Sequence, residues 1–95
     1  MDYPDFRLDD QVALVTGASQ GIGRDIAKAL ASAGARVAVA ARDVGSLSRL
    51  ASEIEAEGGD CLAVELDVRV VNQIGNTYEQ VRRHFGSLDV LVNNA

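Results

Sequence analysis

The chain has 95 residues, 47% of them hydrophobic and 24% charged, a balance that excludes disordered, collagen-like and disulfide-stapled proteins and fits one small globular unit with a core of its own. Nine Lys and Arg against 14 Asp and Glu leave a net charge of −5, which argues against a general nucleic-acid or anionic-membrane surface but leaves room for a local phosphate site. Cys61 is the only cysteine and cannot close an internal disulfide, the first residues hold no basic and apolar leader, and no apolar run approaches the roughly 20 residues that span a bilayer; the expected location is the cytoplasm.

After an acidic lead that contains the only proline, Val12-Ala13-Leu14-Val15 is a short continuous apolar run of the kind buried on both faces of a parallel sheet, so a first strand is predicted over 12–16. Glycines then interrupt the chain in Thr16-Gly17-Ala18-Ser19-Gln20-Gly21-Ile22-Gly23. Beyond them Ile22, Ile26 and Leu30 recur every four residues, with Ala29 and Ala33 beside them, which predicts a helix ending at Gly34. Val37-Ala38-Val39-Ala40-Ala41 reads as a second buried strand. Asp43 can cap a second helix in which Leu47, Leu50, Ala51 and Ile54 hold helical spacing up to Gly58-Gly59. A third strand is predicted over 62–66. Val71, Ile74, Tyr78, Val81 and Phe85 mark the inner stripe of a third helix closed by Gly86, and residues 88–92 read as a fourth strand. Strands and helices alternating at this spacing imply parallel βαβ units with right-handed crossovers and helices on both faces of one sheet, an α/β fold. No repeat, low-complexity tract or linker divides the chain.

The strongest functional signal is Gly17-x-x-x-Gly21-x-Gly23, set between a strand and an amphipathic helix. Glycines there permit a tight turn and a close approach of backbone N–H groups to an anion, while the helix N-terminus aims partial positive charge at a pyrophosphate. A side chain at Gly17 or Gly21 would fill the space where backbone must approach phosphate. An ordinary glycine-rich turn is the plainer alternative. A P-loop is excluded, because no Gly-Lys-Ser/Thr follows and Lys28, the only lysine, lies deep in the helix.

Thr16-Gly17-x-x-x-Gly21-Ile22-Gly23 early in the chain, together with Asn93-Asn94-Ala95 at the end of the fourth strand, resembles the short-chain dehydrogenase/reductase family, and the resemblance runs from about Leu8 to Ala95. It implies that Gly17, Ser19, Gln20, Gly21, Ile22 and Gly23 contact the cofactor phosphates and adenosine ribose, that Asp67 and Val68 flank the adenine, and that Asn93 lies against the cofactor. Each of these positions is at the carboxyl end of a parallel strand, where ligands bind in open α/β sheets. Asp67 could instead cap the third helix, and Asn93 and Asn94 could serve strand-end hydrogen bonding alone. The resemblance further implies a Rossmann-type doubly wound sheet of order 3-2-1-4, with residues 1–95 forming the N-terminal half of a NAD(P)-binding domain cut inside the Asn-Asn-Ala motif, and a homo-oligomeric parent. Three departures stand out: Asp10-Gln11 stands where Gly-Lys is common, Arg69-Val70 replaces a polar cap before the third helix, and Gly75 lies inside that helix at a cost of about 1 kcal/mol.

Family members preferring NAD commonly place Asp where Ala41 aligns, whereas a small residue followed by Arg is similar to the NADP users. Arg42 can bind a 2′-phosphate bidentately, and an acid at position 41 would repel it. NADP is therefore expected over NAD, with two alternatives open: Arg42 as a solvated surface residue, and Asp43 as the ribose acid rather than a helix cap. The resemblance implies hydride transfer between a nicotinamide and a small-molecule carbonyl or secondary alcohol, with 3-oxoacyl carrier-protein reductases and polyol or sugar-acid dehydrogenases as similar groups. It also implies a catalytic Ser and a Tyr-x-x-x-Lys pair, and none of these can be assigned here. Tyr78-x-x-x-Arg82 belongs to a helix stripe, His84 to the last turn of that helix, and Cys61 reads as a small buried residue. No metal site is assigned, and the 95 residues alone are expected to be inactive. A non-catalytic dinucleotide sensor is the rival reading; an S-adenosylmethionine site is disfavoured because Arg42 stands where a ribose acid would be wanted.

Overall fold

The computed structural model describes residues 7–67 and 69–94. Val12–Thr16 (β1), Arg36–Ala41 (β2), Cys61–Glu65 (β3) and Val90–Asn93 (β4) alternate with Gly21–Ser32 (α1), Val44–Ala56 (α2) and Val71–Phe85 (α3). All pairings are parallel and the sheet order is β3-β2-β1-β4, the order expected of a Rossmann-type sheet. Chain direction therefore brings the carboxyl ends of all four strands to one edge, with the crossover helices leaving from it.

The continuous apolar strands are explained by two separate cores. Val15, Val37, Val39 and Ala41 point to the face covered by α1 and α2, where Ala27, Leu47, Leu50, Ala51 and Ile54 meet them. Val12, Leu14, Ala38 and Ala40 point to the opposite face, against Val81 and Phe85 of α3. Period-two alternation along β1 and β2 thus feeds both cores, so neither face can carry polar residues. Arg24 of α1 pairs with Glu53 of α2, and Lys28 reaches the same carboxylate at 3.6 Å. Among the described residues, no helix is long and apolar enough to cross a membrane.

Several boundaries and stripe positions differ from the sequence reading. β2 and β3 begin one residue earlier than predicted. β4 begins at Val90 rather than at residue 88, because Asp89 turns its carboxylate to accept the Val12 N–H at 2.9 Å and thereby starts the ladder. Leu88 still packs on the α3 core, from the loop. Val71 is 80% exposed and Ile22 70% exposed; each is one of the first two residues of its helix, beyond the reach of the sheet. Thr77 takes an interior place on α3 with Val81 and Phe85. Asp43 caps α2 and Gly86 closes α3, as predicted.

Candidate functional site

At the carboxyl edge of the sheet the chain encloses a cleft of about 540 Å³. Gly17, Ser19 and Gln20 supply one side, Ala40, Ala41, Arg42, Asp43 and Ser46 the base, and Leu66, Asp67, Arg69 and Asn94 the remaining walls. Four loops that follow four different strands or their helices thus converge on one opening, which is what the β3-β2-β1-β4 order produces at this edge.

The glycine loop is shaped by its two left-handed residues. Gly17 has φ +63° and Gly21 φ +62°, a region that L side chains enter only with strain. A Cβ on Gly17 would overlap the Asn94 carbonyl, and a Cβ on Gly23 would lie 2.7 Å from Asn94 Nδ2 and 3.0 Å from the Gly17 carbonyl carbon. Gly17 and Gly23 therefore let three backbone segments touch, while the Cβ direction of Gly21 is open. Gln20 precedes α1 in an extended conformation without a side-chain cap, and the first turn of α1 carries no acid. The leading N–H groups of α1 thus remain free of internal carboxylates, the condition for an anion to use them.

β4 is fastened to this loop through Thr16. The Thr16 hydroxyl donates to Asn93 Oδ1 at 3.0 Å and accepts the Asn94 N–H at 3.2 Å, and Asn94 Nδ2 donates to the Gly17 carbonyl at 3.3 Å. Asn94 lines the cleft, whereas Asn93 directs its side chain to Thr16.

The charged groups divide into paired and unpaired. Asp43 Oδ1 accepts the Ser46 N–H at 3.1 Å and Oδ2 the Ser46 hydroxyl at 2.8 Å; these bonds hold its pKa below the usual carboxylate range. Asp67 Oδ1 accepts from both the backbone N–H and Nε of Arg69 at 3.0 Å, and Oδ2 accepts from Nη2 at 2.9 Å. These hydrogen bonds, with the Arg69 and Arg42 charges, bring the Asp67 pKa down to about 2. Asp67 consequently spends its side chain on Arg69 rather than on capping α3, whose N-cap is Val70 with no side-chain bond. Arg42 is exposed in the cleft and makes no hydrogen bond or ion pair among the described residues.

Of the residues singled out in the sequence, Gly17, Ser19, Gln20, Arg42 and Asp67 line the cleft; Gly21, Ile22 and Gly23 stand at the start of α1 beside it, and Asn93 is turned to Thr16. Val68 lies outside the described residues. Arg69 and Asn94 also line the cleft; the sequence marked Arg69 only as a departure before α3 and Asn94 only as part of the Asn-Asn-Ala motif, and placed neither against a ligand. Tyr78 packs on the α3 core, Cys61 is buried with its pKa raised by desolvation to about 12, and His84 lies edge-on to Phe85 with 4.6 Å between ring centroids; none lines the cleft. The arrangement fits a dinucleotide on its own geometry: close-packed glycine backbone, an uncapped helix start, carboxylates already engaged and one unpaired guanidinium.

The family profile described as short chain dehydrogenase matches residues 11–95. Dehydrogenase/reductase SDR family member 1 of Homo sapiens is 45% identical over 89 residues, covering 93% of this chain and 28% of that protein. A hydroxysteroid dehydrogenase from Escherichia coli superposes with a TM-score of 0.93 at 34% identity, over 96% of this chain and 39% of its own. A metagenomic short-chain oxidoreductase, solved in complex with NADP, superposes with a TM-score of 0.88 at 46% identity, over 93% of this chain and 40% of its own. The chain thus spans only 28% of the human relative and about two fifths of these solved chains.

Proposed function

The chain belongs to the short-chain dehydrogenase family of oxidoreductases, and from that premise we propose that it is the cofactor-binding part of an NADP-preferring enzyme that moves hydride between the nicotinamide and a small carbonyl or secondary alcohol. The observation that carries the cofactor reading is the contrast at the end of β2: Asp43 is committed to Ser46, while Arg42 is unpaired in the cleft. An acid bound to its own helix is not available to a ribose 2′-hydroxyl, and an unpaired guanidinium suits a 2′-phosphate. The NADP complex of the metagenomic relative supports the same direction.

On this reading the residues take the roles that the family resemblance implies. Gly17, Gly21 and Gly23 let backbone approach the pyrophosphate; Ser19, Gln20 and Ile22 extend that contact along the start of α1; Arg42 takes the 2′-phosphate. Asp67 and Val68 border the adenine, and Asn93 and Asn94 close the side toward the nicotinamide. The bound cofactor supplies the hydride. Among the described residues no Tyr, His, Cys or Lys lines the cleft, and general acid catalysis needs a donor of suitable pKa within hydrogen-bond reach; on this reading residues 1–95 bind nucleotide without turning over a carbonyl.

The test is a fluorescence titration of the intact protein carrying this chain with NADPH and NADH. Tighter binding of NADPH, reversed in the Arg42→Ala, Ala41→Asp double variant, is the expected result. Equal or tighter NADH binding in the unmodified protein would overturn the assignment.

A further inference from the structure

Four charged side chains line the cleft, and the reading above gives a purpose to Arg42, Asp43 and Asp67 but none to Arg69. Resting on that reading, we propose that Arg69 is a specificity-determining residue, which keeps the cleft acceptable to a 2′-phosphate by covering the carboxylate of Asp67. The geometry is that of a closed ring. Both oxygens of Asp67 are engaged by one residue two positions later, through a backbone N–H and two guanidinium nitrogens at 2.9–3.0 Å. Arg69 is 72% exposed in its side chain, and an ion pair so open to water contributes little to stability. The consequence of the pair therefore falls on the cleft.

Arg42 and Asp67 stand at the ends of neighbouring strands, β2 and β3, and line the same opening. The charge of Arg42 acts on Asp67 across it. With Arg69 present, Asp67 is neutralised in place and Arg42 keeps its charge for a ligand. Without Arg69, the bare carboxylate would both repel a phosphate dianion and compete with it for Arg42. A nucleotide without a 2′-phosphate offers nothing for that carboxylate to repel at this place, so the loss is selective. Arg69 acts here through Asp67 and touches no reacting atom.

The probes are 2′,5′-ADP and 5′-AMP, which differ only in the 2′-phosphate, titrated by calorimetry into the intact protein. Arg69→Ala is expected to lower the ratio of 2′,5′-ADP affinity to 5′-AMP affinity about fivefold, the scale of one partly screened charge near a protein surface. The effect should shrink in 0.5 M salt, a concentration chosen to bring the screening length to about 4 Å. Arg69→Lys, which keeps the charge, should retain most of the ratio, and the Asp67→Asn, Arg69→Ala double variant should restore it. Asp67→Asn alone should raise the ratio by freeing the Arg69 charge, and it decides the matter if Arg69→Ala does not fold. A parallel change in both affinities, an unchanged ratio, or no restoration in the double variant would overturn the inference. If Arg42→Ala leaves the ratio untouched, the NADP reading itself fails. If Arg42→Ala collapses the ratio and Arg69→Ala does not, only the role of Arg69 falls.

Discussion

Replacing Gly17, Gly21 and Gly23 by alanine, one at a time, should separate a turn that the fold needs from one that the ligand needs. At Gly17 two costs coincide. A φ of +63° strains any L residue by about 1–2 kcal/mol. A Cβ that overlaps the Asn94 carbonyl meets backbone, which cannot rotate away, and overpacking of that kind costs about 1–3 kcal/mol. The sum for Gly17→Ala is about 2–5 kcal/mol. Gly21→Ala carries only the strain, about 1–2 kcal/mol, since its Cβ would enter open space. Gly23→Ala meets Asn94 and Gly17 but recovers about 1 kcal/mol of helix propensity, leaving roughly 0–2 kcal/mol. Urea unfolding followed by circular dichroism, with the slope held common to all variants, measures these differences. The sequence alone treats Gly17 and Gly21 alike, as places where a side chain blocks phosphate. From the structure, Gly17→Ala should lose both stability and nucleotide affinity, while Gly21→Ala should lose affinity out of proportion to its modest loss of stability. A Gly17→Ala protein as stable as Gly21→Ala would refute the reasoning.

Cys61, its pKa raised to about 12 by burial, should react with a thiol reagent at pH 8 roughly a thousandfold more slowly in the folded protein than after denaturation; labelling at the denatured rate without denaturant would contradict its placement. Asp67, ionised down to about 2 in the folded state and titrating near 3.9 in an unfolded chain, gives the Asp67–Arg69 pair a stabilising contribution that is small, because the pair is open to water, and that is present above pH 3.9 and lost as pH falls toward 2. Melting temperatures of the unmodified protein and Asp67→Asn should therefore differ near neutrality and converge by about pH 2; a gap constant across that range would exclude the effect.

How legible the molecule is from its sequence depends on the kind of information each residue carries. Asp43 and the Leu47, Leu50, Ala51, Ile54 stripe were readable because cap and stripe lie within one helix, and local spacing fixes both. Alternation and crossover handedness gave a parallel sheet with helices on both faces, while the order β3-β2-β1-β4 came only from the family resemblance. Burial at the helix beginnings was misread: Val71 and Ile22 continue an apolar spacing past the point where sheet remains to cover them, and spacing cannot tell where a neighbouring layer stops. The interior place of Thr77 depends on how α3 is rotated against the sheet, which a polar residue does not announce. Asn93 and Asn94 could not be separated, because successive strand residues face opposite ways and the assignment turns on where β4 ends. Arg69 was passed over because its partner is a carboxylate two residues away, and no periodicity marks such a turn.

The fastening of β4 to Thr16 and Gly17 also bears on the order of events in folding. β1 pairs Val12 with Arg36 of β2, but Ala13 with Val90 of β4. The second pairing closes a loop about three times as long as the first, which adds about 1 kcal/mol of chain entropy to its formation. β4 should thus dock late, onto a β1–β2 pair already formed. Since Asn94 reaches the glycine loop only once β4 has docked, that loop takes its final shape at the end of assembly. A nucleotide that recognises the finished loop binds only chains that have completed this last step, and so acts as a clamp on the arrival of the fourth strand.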